Sequence, residues 1–138
     1  MNRKFLLMAI VVAAVVAGAT AFAQQHRPYD QIMKDVAATF PSLKKNLDAM
    51  DAAAAAADAA KLEGFFRETE AFWAPLNTQD AVGFSKKAQQ AAAAVSTAAK
   101  ANDMKAALAS YALVQRNCGG CHTAHREQTT SGGFNIKP

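Results

Sequence analysis

The chain has 138 residues, of which 51% are hydrophobic and only 8% are aromatic, and its formal net charge is +4. This length suits one hydrophobic core, and the hydrophobic fraction excludes a disordered chain. The 34 alanines favour helices and argue against an all-β or parallel-sheet fold. Two cysteines are too few for a disulfide framework, and no arginine-rich stripe with interleaved aromatics indicates a nucleic-acid partner.

Residues 1–23 have the three-part pattern of a secretory signal peptide. Arg3 and Lys4 precede an apolar run over residues 5–16, and an A-x-A sequence ends at Ala23. The apolar run is shorter than the roughly 20 residues that cross a bilayer. We therefore predict cleavage after Ala23, a periplasmic protein and no stable membrane span in its mature form. Loss of the two basic residues lowers the net charge from +4 to +2.

The remaining chain contains four segments in which apolar residues recur at steps of three and four, as on one face of a helix. These predicted helices cover residues 28–50, 52–74, 78–100 and 102–128. Either Asn102 or Asp103 could be the N-cap of the last helix, which is predicted to carry Leu108, Cys118 and His122 on its inward face. Short connections between helices of similar length predict an all-α fold, an antiparallel up-down-up-down four-helix bundle. The alanine faces allow the helices to approach closely, so a bulky group could complete the core.

The sequence predicts two segments in this part of the chain and one irregularity within its first helix. The bundle domain is predicted to span residues 24–128, and residues 129–138 form a loosely ordered tail that contains Gly132 and Gly133. Pro41 lies inside the first helical segment, where it must kink the helix or break it briefly.

One motif carries specific chemistry. The sequence Cys118-Gly119-Gly120-Cys121-His122 is the C-x-x-C-H signature of covalent c-type haem attachment. On a helix, positions i, i+3 and i+4 share one face. Two thiols on that face can add to the two vinyl groups of haem, while the adjacent imidazole ligates the iron. The two glycines leave space for the porphyrin edge.

Three other interpretations of the motif compete with haem attachment. A thioredoxin-type C-x-x-C follows a strand, and no strand is predicted before Cys118. A structural zinc site needs four ligands, and His125 on the same helix could add only one more. A disulfide between Cys118 and Cys121 would strain a helical turn. Haem attachment is the interpretation that the helical context and the predicted export favour.

A four-helix chain with C-x-x-C-H near its C-terminus resembles the class II cytochromes c, which are cytochrome c′ and its low-spin relatives. The residues that match are Cys118, Cys121, His122 and Arg126, since the family typically reads C-x-x-C-H-x-x-aromatic-basic. His125 stands where the family usually has Tyr or Phe, which leaves the surroundings of the proximal ligand open. In the family's pattern Arg126 is the basic residue that sets the charge around His122 or a haem propionate, although a solvated helix end is the alternative.

The resemblance implies a cytochrome c′-like bundle with one covalent haem c and His122 as the proximal ligand. It also implies an electron-transfer protein rather than an enzyme, with redox partner proteins and with dimers formed through the first two helices.

The ligand on the opposite side of the iron decides between two functions. In an antiparallel bundle the N-terminal part of the first helix faces that side, and Met33 lies there, whereas Met50 and Met104 are too far along the chain. His26 is a weaker rival. Low-spin relatives are similar in using a methionine of the first helix, which suits electron transfer. The alternative is that Met33 only fills the core, as methionine often does, and that a five-coordinate iron binds or senses gases such as nitric oxide.

Overall fold

The structure, a computed structural model, describes residues 27–138. The predicted signal peptide and His26 lie outside the described residues. The described part is 79% helical. Its helices are α1 (Tyr29–Asp48), α2 (Ala52–Trp73), a short 3₁₀ helix (Ala74–Leu76), α3 (Gln79–Lys100) and α4 (Met104–His125). None of these helices is both long and apolar enough to span a lipid bilayer.

The boundaries of the helices follow from local capping chemistry. The Asp51 side chain accepts a hydrogen bond from the Ala54 amide and caps α2, so the polyalanine segment that follows is helical, as predicted. Asp103 caps α4 in the same way by accepting from the Ala106 amide, which selects it over Asn102 as the N-cap. Asn102 instead takes a left-handed conformation in the turn, with φ of 58°.

The first helix continues through its internal proline. α1 is one uninterrupted helix from Tyr29 to Asp48 and contains Pro41, so of the two predicted alternatives, a kink or a break, the break does not occur. Pro41 is exposed, and Ile32, Leu43 and Leu47 of the same helix are buried. Burial of these apolar side chains stabilises the helix across the backbone hydrogen bond that proline cannot donate.

The four helices pack against one another around a core that is rich in alanine. α2 contacts both α1 and α3, and α3 contacts α4, whereas α1 touches α4 over a much shorter stretch. Leu108 of α4 was expected to point inward, but it is 37% exposed, and Leu113 is 46% exposed. The core of larger side chains includes Leu43, Leu47, Leu62, Phe66, Val95, Met104, Tyr111 and Val114.

The C-terminal segment differs from the loosely ordered tail that we expected. α4 ends at His125, and β1 (Arg126–Gln128) pairs antiparallel with β2 (Phe134–Ile136), with Arg126 opposite Ile136. Gly132 has a φ of 84°, a conformation that glycine adopts without strain. Strands of three residues have too few side chains to produce a recognisable alternating pattern, so the sequence shows no clear hairpin signal.

Candidate functional site

The last two turns of α4 carry the C-x-x-C-H segment. Cys118 and Cys121 are free thiols, and both are half-buried. His122 was expected on the inward face of the helix, but its side chain is exposed. The final turn of α4 buries His125 instead, which is only 7% exposed. The structure thus brings both thiols to the edge of the bundle and leaves His122 accessible beside them.

An aromatic cluster lies next to the two thiols. Tyr29, the first residue of α1, stacks on Phe72 at a centroid distance of 4.3 Å and meets Trp73 edge-on at 5.6 Å. The Trp73 Nε1–H donates a 3.2 Å hydrogen bond to Tyr29 Oη. Burial raises the pKa of Tyr29 to about 12, and Cys121 and Cys118 are close enough to raise it further. The start of α1 and the end of α2 therefore form one wall beside the C-x-x-C-H turn.

The electrostatic environment keeps both thiols protonated. Burial raises the pKa of Cys118 to about 11, with a further contribution from Cys121. Burial also raises the pKa of Cys121, and the neighbouring Asp80 carboxylate adds to this effect. Disulfide exchange and zinc binding both use the thiolate, so this environment is opposite to the one that an oxidoreductase or a zinc site requires. It is compatible with addition of a thiol to a vinyl group.

His122 is held in its neutral form. Partial burial lowers its pKa, and the positive charge of Arg126 lowers it further. None of the hydrogen bonds found within residues 27–138 involves the His122 imidazole. A neutral imidazole with a free nitrogen lone pair is the form that binds a metal ion.

Arg126 lies directly after α4, in β1. Its guanidinium carbon is 3.3 Å from the centroid of the Phe134 ring, so the cation stacks on the opposite strand of the hairpin. The positive charge of Arg126 lowers the pKa of His122, which agrees with the predicted role of Arg126 in setting the charge around His122. A contact of Arg126 with the cofactor stays a prediction.

Met33 lies one helical turn after Tyr29 on α1 and is half-buried. Met104 is 4% exposed within the core, and Met50 is 63% exposed at the turn between α1 and α2. Among the methionines in the described residues, Met33 is therefore the one that shares the N-terminal part of α1 with Tyr29. Ligation of iron by Met33 stays a prediction.

Two residues near the motif have roles that the sequence analysis missed. The His125 ring is within 3.0 Å of Asp80 Oδ2 and 2.9 Å of the Lys137 carbonyl oxygen, and it packs on Trp73 at a centroid distance of 5.1 Å. The His125 ring thus packs between Trp73 and Asp80, a placement that only the packing of α2, α3 and α4 decides. Phe84 of α3 packs against the backbone of Gly120, and no local pattern predicts this contact.

Arg27 supplies an unsatisfied donor at the start of the described chain. Its Nε donates to Glu68 at 2.7 Å, and its Nη1 donates to Asp35. Its Nη2 is buried and has no hydrogen-bond partner among the described residues. Asp35 and Glu68 therefore balance the charge of Arg27. The groups of this chain that fit a haem are the free thiols of the C-x-x-C-H turn and its accessible imidazole.

The described residues contain no cluster of side chains that could hold a metal ion without a cofactor. Within residues 27–138, no three or more His, Cys, Asp or Glu side chains converge in the way that a protein-held metal ion requires. Comparisons of the chain with models of protein families, with curated proteins and with solved structures find no match. The C-x-x-C-H turn and its neighbours are therefore the features of the described chain that point to a function.

Proposed function

We propose that this chain is an exported, monohaem c-type cytochrome of class II that carries single electrons. In this proposal Cys118 and Cys121 would hold haem c covalently, and His122 and Met33 would ligate its iron, on an antiparallel up-down-up-down bundle. One observation carries the proposal: two free, half-buried thiols and an accessible imidazole stand together on the last turns of α4.

The chain's own residues perform the binding and the insulation. Cys118 and Cys121 each add an S–H bond across a vinyl group, which forms two thioethers and needs no oxidant. His122 and Met33 would ligate the iron, and a thioether ligand would favour a higher reduction potential. When bound, haem c supplies an iron that takes up and releases one electron. The aromatic side chains of Tyr29, Phe72 and Trp73 exclude water from one side.

The packing of the helices supports the presence of a bulky group. α1 and α4 make a short contact, and Val36 and Phe40 of α1 remain only partly buried. Leu108 and Leu113 of α4 are exposed. An apolar prosthetic group removes such surface from water and contributes roughly 25 cal/mol for each Å².

The location and partners of the protein belong to the same proposal. Cleavage after Ala23 would release the mature protein into the periplasm. There the thiols are outside the reducing environment of the cytosol. The partners are redox proteins, and a second copy of the chain forms a homodimer. Sequencing the N-terminus of protein from a periplasmic fraction, with gel filtration of the same sample, tests both statements.

Covalent haem attachment is the first test. The full-length chain is expressed with a c-type haem maturation system, and the purified protein is extracted with acidified acetone. We expect one haem per chain to remain bound, and we expect a variant with both Cys118→Ser and Cys121→Ser to lose it. The two single variants should each retain haem through one thioether. Complete extraction of haem from the unsubstituted chain would remove the proposal.

The visible spectrum separates electron transfer from the alternative function. A low-spin spectrum that carbon monoxide does not change supports His122 and Met33 as two permanent ligands. A high-spin ferrous form that binds carbon monoxide readily identifies a five-coordinate, gas-binding protein instead. His122→Ala should abolish the haem spectrum of the unsubstituted protein, whether that spectrum is low-spin or high-spin.

A further inference from the structure

The two predicted axial ligands lie on helices that touch each other only briefly. Met33 belongs to α1 and His122 to α4, and α1 contacts α4 over a short stretch. That contact includes the stack of Phe40 on Tyr111, whose ring centroids are 4.5 Å apart. Along their helices, Met33 lies seven residues from this stack and His122 lies eleven, which is about 10 Å and about 16 Å. The direct contact is therefore too far along both helices to set the separation of the two ligands.

Trp73 of α2 connects the relevant ends of α1 and α4 instead. Its Nε1–H donates a 3.2 Å hydrogen bond to Tyr29 Oη, and the two rings meet edge-on with centroids 5.6 Å apart. The His125 ring packs on the same indole at a centroid distance of 5.1 Å. Met33 lies one turn after Tyr29 on α1, and His122 lies one turn before His125 on α4. One indole thus joins the turn that carries Met33 to the turn that carries His122.

Burial gives Trp73 a fixed position outside the main core. It is the largest fully buried side chain among residues 27–138. The main core cluster includes Phe66, two turns earlier on the same helix, and does not extend to Trp73 among these residues. Protein interiors are close-packed, so a change in the size of a buried side chain displaces its neighbours. A smaller side chain at position 73 should therefore shift the start of α1 relative to the end of α4 and leave the main core in place.

An ion pair also joins the start of α1 to α2. The Arg27 Nε lies 2.7 Å from a carboxylate oxygen of Glu68, and the two side chains are 37% and 41% exposed. An ion pair with this exposure contributes little, because water and salt screen its charges. The buried contacts of Trp73 therefore hold the start of α1 more firmly than this ion pair does.

We propose that Trp73 is a positioning residue that sets the separation of Met33 from His122 and so keeps Met33 within reach of the iron. This inference rests on the proposed function, because it concerns the two predicted ligands. His122 follows Cys121 directly and would be held close by the covalent attachment, whereas Met33 would be held only by the packing of α1. Loss of the Trp73 contacts should therefore release Met33 first and leave a site that is open to small gases.

Spectra of the purified haem-bound protein test the proposal. Trp73→Phe removes the indole N–H and reduces the ring in size, and Tyr29→Phe removes only the hydrogen bond. We expect Trp73→Phe to raise the fraction of high-spin iron that binds carbon monoxide about tenfold, which corresponds to about 1.4 kcal/mol. Tyr29→Phe should raise this fraction by less, and it decides the matter where Trp73→Phe does not fold.

Two control variants separate positioning from general stability. Phe66→Leu removes a buried ring from the main core of the same helix and should lower the free energy of unfolding without changing the spectrum. Glu68→Gln removes the exposed ion pair at the junction of α1 and α2 and should also leave the spectrum unchanged. Urea unfolding measures the stability of every variant, and circular dichroism verifies that each one folds.

Hydrogen exchange provides a measurement that needs no haem. The full-length chain with both Cys118→Ser and Cys121→Ser is the background, and mass spectrometry compares the protection of residues 29–36 with that of residues 91–99 in α3. The ratio corrects for changes in global stability. Trp73→Phe should lower this ratio about tenfold in the same background, which corresponds to about 1.4 kcal/mol. Tyr29→Phe should lower it by less, and Phe66→Leu should not lower it.

Two results would overturn the proposal. One is a low-spin spectrum of both Trp73→Phe and Tyr29→Phe that carbon monoxide does not change, while Met33→Leu gives a high-spin spectrum. The other is a protection ratio that neither variant lowers. Both results would leave the proposed function in place. Extraction of all haem from the unsubstituted chain, or a high-spin spectrum of that chain, would instead remove the proposed electron carrier and this inference together.

Discussion

A Cβ atom placed on Gly120 would lie 2.6 Å from Cε1 of Phe84, a side chain of the neighbouring helix α3. The sequence suggests that the two glycines of C-x-x-C-H make space for a porphyrin edge, and the structure adds a second requirement at one of them. Gly119 has no atom within 4 Å of the same position. The two glycines are therefore not equivalent.

This difference gives a matched pair of substitutions. Gly120→Ala should lower the free energy of unfolding by about 1 to 2 kcal/mol, because the new methyl group overlaps the Phe84 ring. Gly119→Ala should raise it by about 0.5 to 1 kcal/mol, since alanine is the better helix former. Urea unfolding measures both values. Phe84→Leu should recover part of the loss in the Gly120→Ala background, and equal stability of the two alanine variants would contradict the steric argument.

The hydrogen bond between Trp73 and Tyr29 should be measurable as a loss of stability. Trp73 is fully buried, and Tyr29→Phe leaves its indole N–H without the acceptor that it has in the structure. A buried donor without a partner costs about 1 to 3 kcal/mol. The control is Tyr111→Phe, because the Tyr111 hydroxyl makes no hydrogen bond to any residue of 27–138. Similar losses for the two variants would show that the hydrogen bond is not the cause.

Met33→Leu tests the predicted distal ligand without creating a cavity. We expect the substitution to convert a low-spin haem spectrum to a high-spin one and to permit binding of carbon monoxide. Met50→Leu, at the exposed methionine in the turn between α1 and α2, should leave the haem spectrum unchanged. An unchanged low-spin spectrum of Met33→Leu would instead identify another ligand, and His26 would then be the residue to substitute.

Asp58 should contribute stability that disappears in acid. Its side chain is buried and accepts hydrogen bonds from Ser42 and Asn46 of α1 and from Lys61. Burial by itself would raise the pKa of Asp58, but these hydrogen bonds outweigh it and lower the pKa. A lowered pKa in the folded state stabilises the fold above about pH 4, and this contribution is lost as the pH falls through the folded value.

Asp58→Asn should therefore cost about 1 to 3 kcal/mol near neutral pH and much less near pH 3. Urea unfolding at both pH values measures this difference. Asp48→Asn, at an exposed carboxylate of α1, is the control and should have a small effect at either pH. A cost of Asp58→Asn that is equal at the two pH values would show that its charge is not the source of the stability.

The helices were the part of the fold that the sequence predicted best. Four helical segments were predicted, and each lies within a few residues of α1, α2, α3 or α4. The polyalanine start of α2 was also predicted correctly, and Asp103 is one of the two N-caps that the sequence offered for α4. Alanine propensity, apolar periodicity and capping all act over four or fewer residues, so a linear sequence contains the information.

The spacing of Cys118, Cys121 and His122 is likewise local, and for this reason the sequence alone identifies a candidate site. The sequence left open whether α1 continues through Pro41, and it did not predict the exposure of Leu108, because burial by other helices decides both. The hairpin was missed because its strands are short and exposed and thus have no apolar pattern.

The sequence by itself determined the helices and the order of the reactive groups along α4. Only the tertiary structure decided what surrounds those groups: Phe84 against Gly120, Tyr29 beside the thiols, and His125 between Asp80 and Lys137. Asp80 and His125 are 45 residues apart, and Tyr29 and Trp73 are 44 apart. Contacts over such separations arise from the packing of whole helices, and no short pattern in the chain encodes them.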